Sequence, residues 1–245
     1  MLSLPNLQPS EKVDHREDGS LDVFHVWKTI QGEGPLVGTP AIFIRLAGCS
    51  LACNQCDSDY TSKRRRMTVQ EIWLAIDGID SSFDGSISLA VITGGEPFRQ
   101  NISPLCRWLV VEAGYQVQIE TNGIHAPPND LPLSDDGGPT VQIVCSPKAP
   151  RIHPDLERWV DAYKYVLDAD HVDHVDGLPT DVLGTGLRPA RPSLVRAGDE
   201  FEVFVQPADE QDQVKNHRNI QAAVQSCLRY GYRYSHQIHK LIGVE

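Results

Sequence analysis

The sequence predicts an α/β fold in which parallel strands and connecting helices form an incomplete βα barrel. Short, apolar, β-branched stretches alternate along the chain with longer amphipathic stretches, which is the pattern of parallel strands joined by helices. Polar and glycine-containing motifs repeatedly follow a predicted strand, and parallel βα folds carry their sites at that end of the strands. About six strands follow this pattern, which is too few to close an eight-stranded barrel.

The predicted elements form one domain over residues 22–245, preceded by a polar, aperiodic segment, residues 1–21, that we expect to be a loose arm. Strands are predicted at residues 22–30 (an edge strand), 40–46, 88–93, 115–120, 141–145, 162–167, 201–205 and 232–238. Helices are predicted at residues 67–76, 104–112 and 212–230. Thr68 and Glu71 form a capping box at the first helix, and Gly114 and Gly231 end the other two. Residues near 125–139 and 168–200 are rich in Asp, Gly and Pro and are predicted to be irregular insertions.

The composition limits the classes of function. The net charge of −11 argues against non-specific binding of nucleic acid, because no overall basic field exists to attract phosphates. The one basic run, residues 62–66, is predicted to be an exposed loop before a helix; a contact with RNA or an acidic partner is the alternative. No apolar run is long enough to predict a membrane span.

The six cysteines favour a reducing cytoplasm over a disulfide framework, because three of them form one cluster in the sequence. We interpret the other three, Cys106, Cys145 and Cys227, as small buried hydrophobic residues.

The cluster consists of Cys49, Cys53 and Cys56, which follow a predicted strand and Gly48. We expect this spacing to gather three thiols around one point. A structural zinc ion needs four protein ligands and an ordinary 4Fe–4S cluster takes four cysteines, so three leave one iron open to a small molecule. A zinc site completed by His25 or another residue, and free buried thiols, are the alternatives. The spacing resembles the radical S-adenosylmethionine (SAM) superfamily, in which the open iron binds SAM.

A second motif, Gly94-Gly95-Glu96-Pro97, follows the predicted strand at 88–93. Glycines at this place expose backbone groups that can pair with the ammonium of an amino acid. Alone the motif indicates a turn, but with the cysteines it resembles the element that holds the methionyl amine of SAM in the same superfamily.

Further motifs narrow the resemblance to one family. They lie at residues 30–34, 41–49, 56–58, 91–97, 119–123, 146–148, 206–207 and 239–240. From about residue 22 to the C-terminus the chain resembles the 7-carboxy-7-deazaguanine synthase (QueE) family. The resemblance implies a modified partial barrel of the radical SAM type, a homodimer, and a 4Fe–4S cluster, SAM and Mg²⁺ as cofactors.

The implied reaction contracts the ring of 6-carboxy-5,6,7,8-tetrahydropterin to 7-carboxy-7-deazaguanine and releases ammonia, a lyase step in 7-deazapurine (queuosine-type) biosynthesis. An external one-electron donor, flavodoxin-like or similar, starts the cleavage of SAM, and the radical takes hydrogen from the substrate. The cluster and SAM carry the chemistry, so no protein acid or base is assigned. The implied partners are the small-molecule pterin and the electron donor, without nucleic acid or membrane.

The resemblance also implies roles for individual residues. The cluster ligands are Cys49, Cys53 and Cys56. The implied SAM contacts are Gln55, Asp57, Gly94, Gly95, Glu96, Ser146, Pro147, Lys148, Gln206, Pro207, Ala208 and Asp209. The implied substrate contacts are Ile30, Gln31, Gly32, Glu33, Arg45, Thr93, His239 and the terminal carboxylate of Glu245. Ser58 lies where the family usually has a metal-binding Thr, and because the hydroxyl is kept we expect Mg²⁺ to bind there.

Two of these assignments also follow from residue chemistry. A pterin presents a guanine-like edge of N–H donors, which Glu33 can accept, and the planar fork of Arg45 suits a substrate carboxylate. Without the surrounding motifs, a solvated carboxylate and a surface ion pair would be the better interpretations.

Two other classes of function stay open on sequence alone. A radical SAM activase that acts on a partner protein shares the cysteine and glycine motifs, but it gives no reason for residues 30–34 or the tail at 239–240. A zinc-binding interaction module is the third class, and analysis of the bound metal separates it from the other two.

Overall fold

The computed structural model describes residues 6–80, 87–133, 141–192 and 201–244. Nine strands of these residues form one sheet. They are β1 (Leu21–Ile30), β2 (Pro40–Leu46), β3 (Arg65–Met67), β4 (Leu89–Gly94), β5 (Gln116–Thr121), β6 (Val141–Cys145), β7 (Ala162–Leu167), β8 (Glu202–Pro207) and β9 (Arg233–Tyr234). The sheet order is β3-β1-β2-β4-β5-β6-β7-β8-β9, with β3 and β9 at its two ends.

The larger part of the sheet is parallel. Strands β2 and β4 to β9 run in one direction, and each pairs with the next of them along the chain. Strand β1 is antiparallel to both of its neighbours, β2 and β3. The predicted incomplete parallel barrel is therefore confirmed, and the predicted edge strand β1 lies one place inside the edge because β3 pairs on its outer side.

Five α-helices occur in the described residues: α1 (Val69–Asp80), α2 (Ser103–Arg107), α3 (Pro154–Glu157), α4 (Gln213–Tyr230) and α5 (Ile238–Ile242). Helix α2 continues as a π-helical turn, Trp108–Glu112, and short 3-10 turns lie at Gly34–Leu36 and Pro97–Arg99.

The predicted capping box is present at α1, where Glu71 N donates to Thr68 Oγ1 at 3.2 Å and Thr68 N donates to Glu71 Oε2 at 2.7 Å. Asp212 caps α4, and Gly231 ends that helix with a φ of 78°. The predicted last strand, residues 232–238, is wrong over most of its length, because only Arg233–Tyr234 pair with β8 and the chain then turns into α5.

The two faces of the sheet differ in chemistry. Residues such as Ile42, Ile92 and Ile143 lie in the main apolar core with the helices. Alternate residues, such as Arg45 and Lys164, line an internal cavity instead. Because side chains alternate between the faces of a strand, each parallel strand supplies both the core and the cavity.

The N-terminal segment is not a loose arm from residue 6 onward, contrary to expectation. Asn6 N donates to Asn54 O at 2.9 Å, Glu11 N donates to Cys49 O at 2.7 Å, and Ser10 and Asp14 form isolated β-bridges. The polar sequence of this segment makes hydrogen bonds to the rest of the chain, which a search for apolar periodicity does not detect.

The basic run, residues 62–66, is exposed throughout, as predicted, but only residues 62–64 form a loop. Arg65 and Arg66 belong to β3, and Arg64 forms ion pairs with Glu11 and Asp22. The run therefore joins the N-terminal segment to the sheet.

Of the three cysteines outside the cluster, all predicted to be buried, two are buried. Cys106 and Cys145 are buried and free, as predicted, whereas Cys227 is only half-buried. Of the two predicted insertions, residues 125–133 and 168–192 contain no helix or strand, and residues 134–139 and 193–200 lie outside the described residues. Within the described part of the chain, no helix is both long and apolar enough to cross a membrane.

Candidate active site

A cavity of about 460 Å³ lies at the carboxyl ends of the parallel strands. This volume is in the range of small-molecule sites. Of the residues predicted to form the site, the cavity is lined by Ile30, Gln31, Glu33, Arg45, Cys49, Cys53, Gln55, Cys56, Asp57, Ser58, Thr93, Gly94, Gly95, Ser146, Lys148, Gln206, Pro207, Ala208, Asp209 and His239. Gly32, Glu96 and Pro147 are not among the lining residues, and Glu245 lies outside the described residues.

The three cysteines share one wall of this cavity. Cys49 and Cys53 are buried and Cys56 is half-buried, and no thiol is in a disulfide. Burial raises the pKa of Cys49 to about 12 and raises the pKa of Cys53 and Cys56 as well. The thiols therefore keep their protons at neutral pH, and a metal that bound to them would have to displace these protons.

The thiols do not meet at a single point. In the described residues, no three His, Cys, Asp or Glu side chains converge as ligands of one metal ion. His25 stacks on Trp27 with ring centroids 5.0 Å apart, and it does not line the cavity. Three thiols that face a common space fit a group with several irons, each of which takes one thiolate.

The glycine pair brings the end of β4 against the start of the cysteine loop. Gly94 has a φ of 130°, and a Cβ atom there would lie 2.2 Å from Leu46 O. A Cβ atom on Gly95 would lie 2.0 Å from Gly48 O. Glu96 N donates to Gly48 O at 3.1 Å. Only glycines allow this approach, so the two motifs form one structural unit.

Glu96 supports the cavity wall from behind. Its buried carboxylate accepts hydrogen bonds from Phe98 N at 3.0 Å, Thr121 Oγ1 at 2.7 Å and Asn122 N at 2.7 Å. Burial raises its pKa to about 7, against the effect of these hydrogen bonds. The side chain thereby orients the end of β5, where Asn122 lines the cavity, and the implied contact of Glu96 with SAM stays a prediction.

The loop after β6 contributes a half-buried lysine. Lys148 Nζ donates to Ser146 Oγ at 2.7 Å, and burial lowers the pKa of Lys148. On β8, Gln206 is buried, and its Oε1 atom has no hydrogen-bond partner among the described residues. A buried acceptor without a partner costs free energy, so Gln206 is suited to a donor on a ligand.

A buried ion network lies across the cavity. Lys164 on β7 contacts the carboxylate of Glu33 directly and that of Glu120 at 3.4 Å. Burial opposes the charged forms, but the lysine still lowers the pKa of Glu33, and the two carboxylates raise the pKa of Lys164. Both interactions favour charged groups at neutral pH.

Amide side chains extend this network along the sheet. Gln31 Nε2 donates to Gln118 Oε1 and, at 3.2 Å, to Glu120 Oε1, and Thr93 Oγ1 donates to Glu120 Oε2 at 3.4 Å. Gln118 Nε2 donates in turn to Gln142 Oε1 at 2.8 Å. The carboxylate of Glu120 is thereby oriented toward the cavity that it lines.

Arg45 supplies a cation on the β2 side of the cavity. Its guanidinium carbon lies 4.9 Å from the centre of the Trp27 ring and 5.7 Å from that of Phe24. The Nε atom is buried and has no hydrogen-bond partner among the described residues. The aromatic rings hold the planar group while leaving a donor for an anionic ligand.

The C-terminal segment closes the cavity. Gln237 Nε2 donates to Glu33 Oε1 at 2.7 Å and to Asp57 Oδ2 at 3.3 Å. Lys240 Nζ donates to Asp209 Oδ2 at 2.9 Å, which lowers the pKa of Asp209 to about 2. His239 lines the cavity, and burial lowers its pKa.

Gly32 explains why His239 can approach, since a Cβ atom on this glycine would lie 2.0 Å from His239 Nδ1. Gly32 therefore shapes the cavity without lining it.

Sequence reasoning missed several lining residues, among them Leu51, Glu120, Asn122, Lys164, Leu183 and Gln237. A signal existed for Lys164, because it is a charged residue within an otherwise apolar strand. Glu120 shares the polar face of β5 with Gln116 and Gln118, which is a weaker signal of the same kind. No such signal exists for Leu183 or Gln237, which reach the cavity from irregular segments.

The fold and the position of the cavity define the structural class of the protein. Over 89% of this chain and 93% of the other, the structure is similar to the crystal structure of QueE from Escherichia coli, with a TM-score of 0.62 and 20% identity. At this identity the likeness shows the fold alone: a partial parallel βα barrel.

Sequence relatives narrow the class to one family. A 7-carboxy-7-deazaguanine synthase of Rhodospirillum rubrum is 39% identical over 241 residues, covering 96% of this chain and 97% of that protein. Another, from Rickettsia prowazekii, is 35% identical over 244 residues, covering 97% and 94%. No protein-family model matches the chain. The chain belongs to the 7-carboxy-7-deazaguanine synthase family on the strength of these full-length matches.

Proposed function

We propose that this protein makes 7-carboxy-7-deazaguanine by a radical SAM lyase reaction, the Mg²⁺-dependent ring contraction of 6-carboxy-5,6,7,8-tetrahydropterin with release of ammonia. Membership of the family supports the product. The observation that carries the proposal is that one cavity contains both the three cysteines and the buried network of Glu33, Lys164 and Glu120. A cofactor site and a polar substrate site thus share one space.

The first part of the proposal concerns the residues that would bind the cofactors. Cys49, Cys53 and Cys56 would hold a 4Fe–4S cluster, and the glycine pair, Ser146 and Gln206 would hold SAM. When bound, the cluster and SAM supply the one-electron chemistry that starts the reaction. The protein's own contribution is to orient both groups, and the unpartnered Gln206 Oε1 and the exposed backbone of the glycines provide the polar contacts for this.

The substrate residues would act through charge and hydrogen bonds. Lys164 keeps Glu33 in its charged form, so that Glu33 accepts N–H groups from the guanine-like edge of a pterin. Arg45, held between aromatic rings, would pair with the substrate carboxylate. Ile30, Gln31, Thr93 and His239 line the same space and would complete this contact surface.

The Mg²⁺ ion would bind at Ser58. This hydroxyl lines the cavity and donates to Asp57 Oδ1 at 3.3 Å, so two oxygen-bearing side chains lie together near the cysteines. Mg²⁺ prefers oxygen ligands and is commonly shared between protein and substrate oxygens. The substrate carboxylate is the natural second source of oxygen.

The remaining parts of the proposal come from family resemblance and composition. They are a single catalytic domain over residues 22–245, a homodimer, an external one-electron donor, and a location in the reducing cytoplasm, where three free thiols persist.

The test is an anaerobic reaction. The protein is reconstituted with iron and sulfide, and SAM, Mg²⁺, a reductant and 6-carboxytetrahydropterin are added before the products are identified by mass. The proposal predicts 7-carboxy-7-deazaguanine and 5′-deoxyadenosine. Formation of 5′-deoxyadenosine alone would retain SAM cleavage and refute the substrate, and neither product from a cluster-loaded protein would refute the function.

A further inference from the structure

The cysteine loop, residues 49–58, contains no helix or strand of its own. Its backbone must therefore find hydrogen-bond partners elsewhere, because buried carbonyls are almost always paired. Many of these partners belong to residues 6–11, which we call the N-terminal strap. The strap is polar, and nothing in the proposed reaction uses it.

The strap bonds to the loop next to two of the cysteines. Asn6 Nδ2 donates to Cys53 O at 3.1 Å, and Asn6 N donates to Asn54 O at 2.9 Å. Glu11 N donates to Cys49 O at 2.7 Å. The carbonyl groups of two cysteines are thus held by residues more than thirty-five positions earlier in the chain.

Gln8 fixes the far end of the loop. Its Nε2 atom donates to Ser58 O at 2.8 Å, and its Oε1 atom accepts from Tyr60 N at 2.7 Å. The Tyr60 side chain is 1% exposed, and its hydroxyl donates to Leu51 O at 3.3 Å. Gln8 therefore holds the backbone on both sides of Asp59. Through Tyr60 it is also connected to Leu51 in the middle of the loop.

The pattern of burial agrees with these contacts. Asn6 and Gln8 are half-buried, whereas Leu7 between them is 89% exposed. The strap thus presents its two amide side chains to the loop and its apolar residue to solvent, opposite to the arrangement of an ordinary packed segment.

We propose that Asn6 and Gln8 are positioning residues that hold the cysteine loop in the geometry required to receive the cluster. This inference rests on the proposed function for the identity of the cluster. Without the strap, the loop carbonyls lose partners and the loop opens more often, so its thiols spend less time in place.

The first test uses the metal-free protein and does not depend on activity. Each cysteine is alkylated in short pulses under anaerobic conditions, and its rate is read by peptide mass spectrometry. In Gln8→Ala and Asn6→Ala we expect Cys49 and Cys53 to react about five-fold faster or more, the factor that one lost net hydrogen bond gives in an opening equilibrium. Leu7→Ala is the matched control and should leave these rates unchanged.

Two results in the same experiment would overturn the inference. One is an unchanged rate at Cys49 and Cys53 in both amide variants. The other is an equal acceleration at Cys106 and Cys145, which lie outside the loop, since that would indicate a general loss of stability. Gln8→Glu keeps the acceptor for Tyr60 N and loses the donor to Ser58 O, so we expect an intermediate rate from a variant that keeps its fold.

A second measurement connects the strap to the cluster. After reconstitution, release of iron to a chelator is followed by absorbance, and we expect Gln8→Ala to release iron several-fold faster than Leu7→Ala. Equal release rates would refute the link to the cluster. If neither the unmodified protein nor any variant binds iron, the proposed function fails. The alkylation result still decides whether the strap positions the loop.

Discussion

At the scale of single residues, Lys164 determines the charge balance of the cavity. Two carboxylates, from Glu33 and Glu120, depend on this one cation, and all three side chains are largely buried. Removing one partner from a buried ionic group leaves an unpaired charge in a region of low dielectric constant, which is among the most destabilising of single changes.

We therefore predict that Lys164→Met lowers the free energy of unfolding by about 3 kcal/mol. The loss should shrink as the pH falls toward 4, because the buried carboxylate of Glu33, without the lysine, can then take up a proton. Denaturant unfolding between pH 4 and 8 measures both effects. Lys12→Met, at an exposed lysine, is the control, and a pH-independent loss in Lys164→Met would contradict the assigned role.

Ser58 offers a second prediction at this scale. We expect Ser58→Ala to raise the Mg²⁺ concentration needed for half-maximal turnover by about ten-fold or more, because the proposed oxygen ligand is lost, with a smaller effect on SAM affinity. Ser58→Thr, which keeps the hydroxyl, should retain the response. The measurement is a Mg²⁺ titration of the initial rate, and overlapping curves for Ser58→Ala and the unmodified protein would remove Ser58 from the metal site.

The residues that the sequence revealed and those that it concealed differ in a physical way. Cys49, Cys53 and Gly95 lie in two short motifs that predict chemistry when they occur together in one chain. Lys164 and Gln237 line the cavity together with a partner far away in the sequence: Lys164 contacts Glu33 across 131 positions, and Gln237 contacts it across 204. Such pairings depend on the register of the sheet, which a single sequence does not specify.

At the scale of elements, the parallel strands were the most predictable part of the fold. The bounds of β2, β6 and β7 agree with prediction because each is a short, mostly apolar run that is largely buried. The N-terminal strap and α5 were not predicted, since both are held by hydrogen bonds and charges rather than by an apolar face. Ile238 N, for example, donates to Gly32 O at 3.1 Å at the start of α5.

The close approach of β4 to the cysteine loop gives a prediction that compares Gly95, at this junction, with Gly78, in α1. In Gly95→Ala the new Cβ would collide with Gly48 O, a backbone atom, so the junction must shift; we expect a loss of about 1–3 kcal/mol and of cluster binding. Gly78 in α1 has no atom within 4 Å of such a Cβ, so Gly78→Ala should stabilise the protein by about 0.5–1 kcal/mol. Thermal unfolding compares the pair, and equal stability of both variants would refute the close approach.

At the scale of the whole molecule, the cavity is assembled from distant segments. The sheet supplies one polar face, and the cysteine loop, which the strap holds from behind, forms one wall. Residues 237–240 close the space through Glu33, Asp57 and Asp209. The fold class was predictable from alternating strands and helices, because that pattern is local. The closure was not predictable, because it depends on where the ends of the chain return to the sheet.

The buried thiols give the whole metal-free protein a characteristic response to alkaline pH. Burial raises the pKa of all six cysteines, from Cys49 in the cavity to Cys106 and Cys145 in the core. In the unfolded chain a thiol loses its proton near pH ~8.5, whereas the folded chain keeps it to higher pH. The folded protein thus binds more protons above this pH, so its stability must fall as the pH rises.

Cys106 and Cys145 allow this to be tested quantitatively, because each is fully buried and lies outside the cavity wall. Between pH ~9 and ~10, each should contribute about 1.4 kcal/mol of lost stability per pH unit. Replacing either by alanine leaves a small cavity and lowers the baseline at all pH values, but it should reduce the slope by that amount. Urea unfolding of the reduced, metal-free protein from pH 7 to 10 measures the slope. The same slope in Cys106→Ala and in the unmodified protein would mean that the buried thiol does not titrate on unfolding as its burial requires.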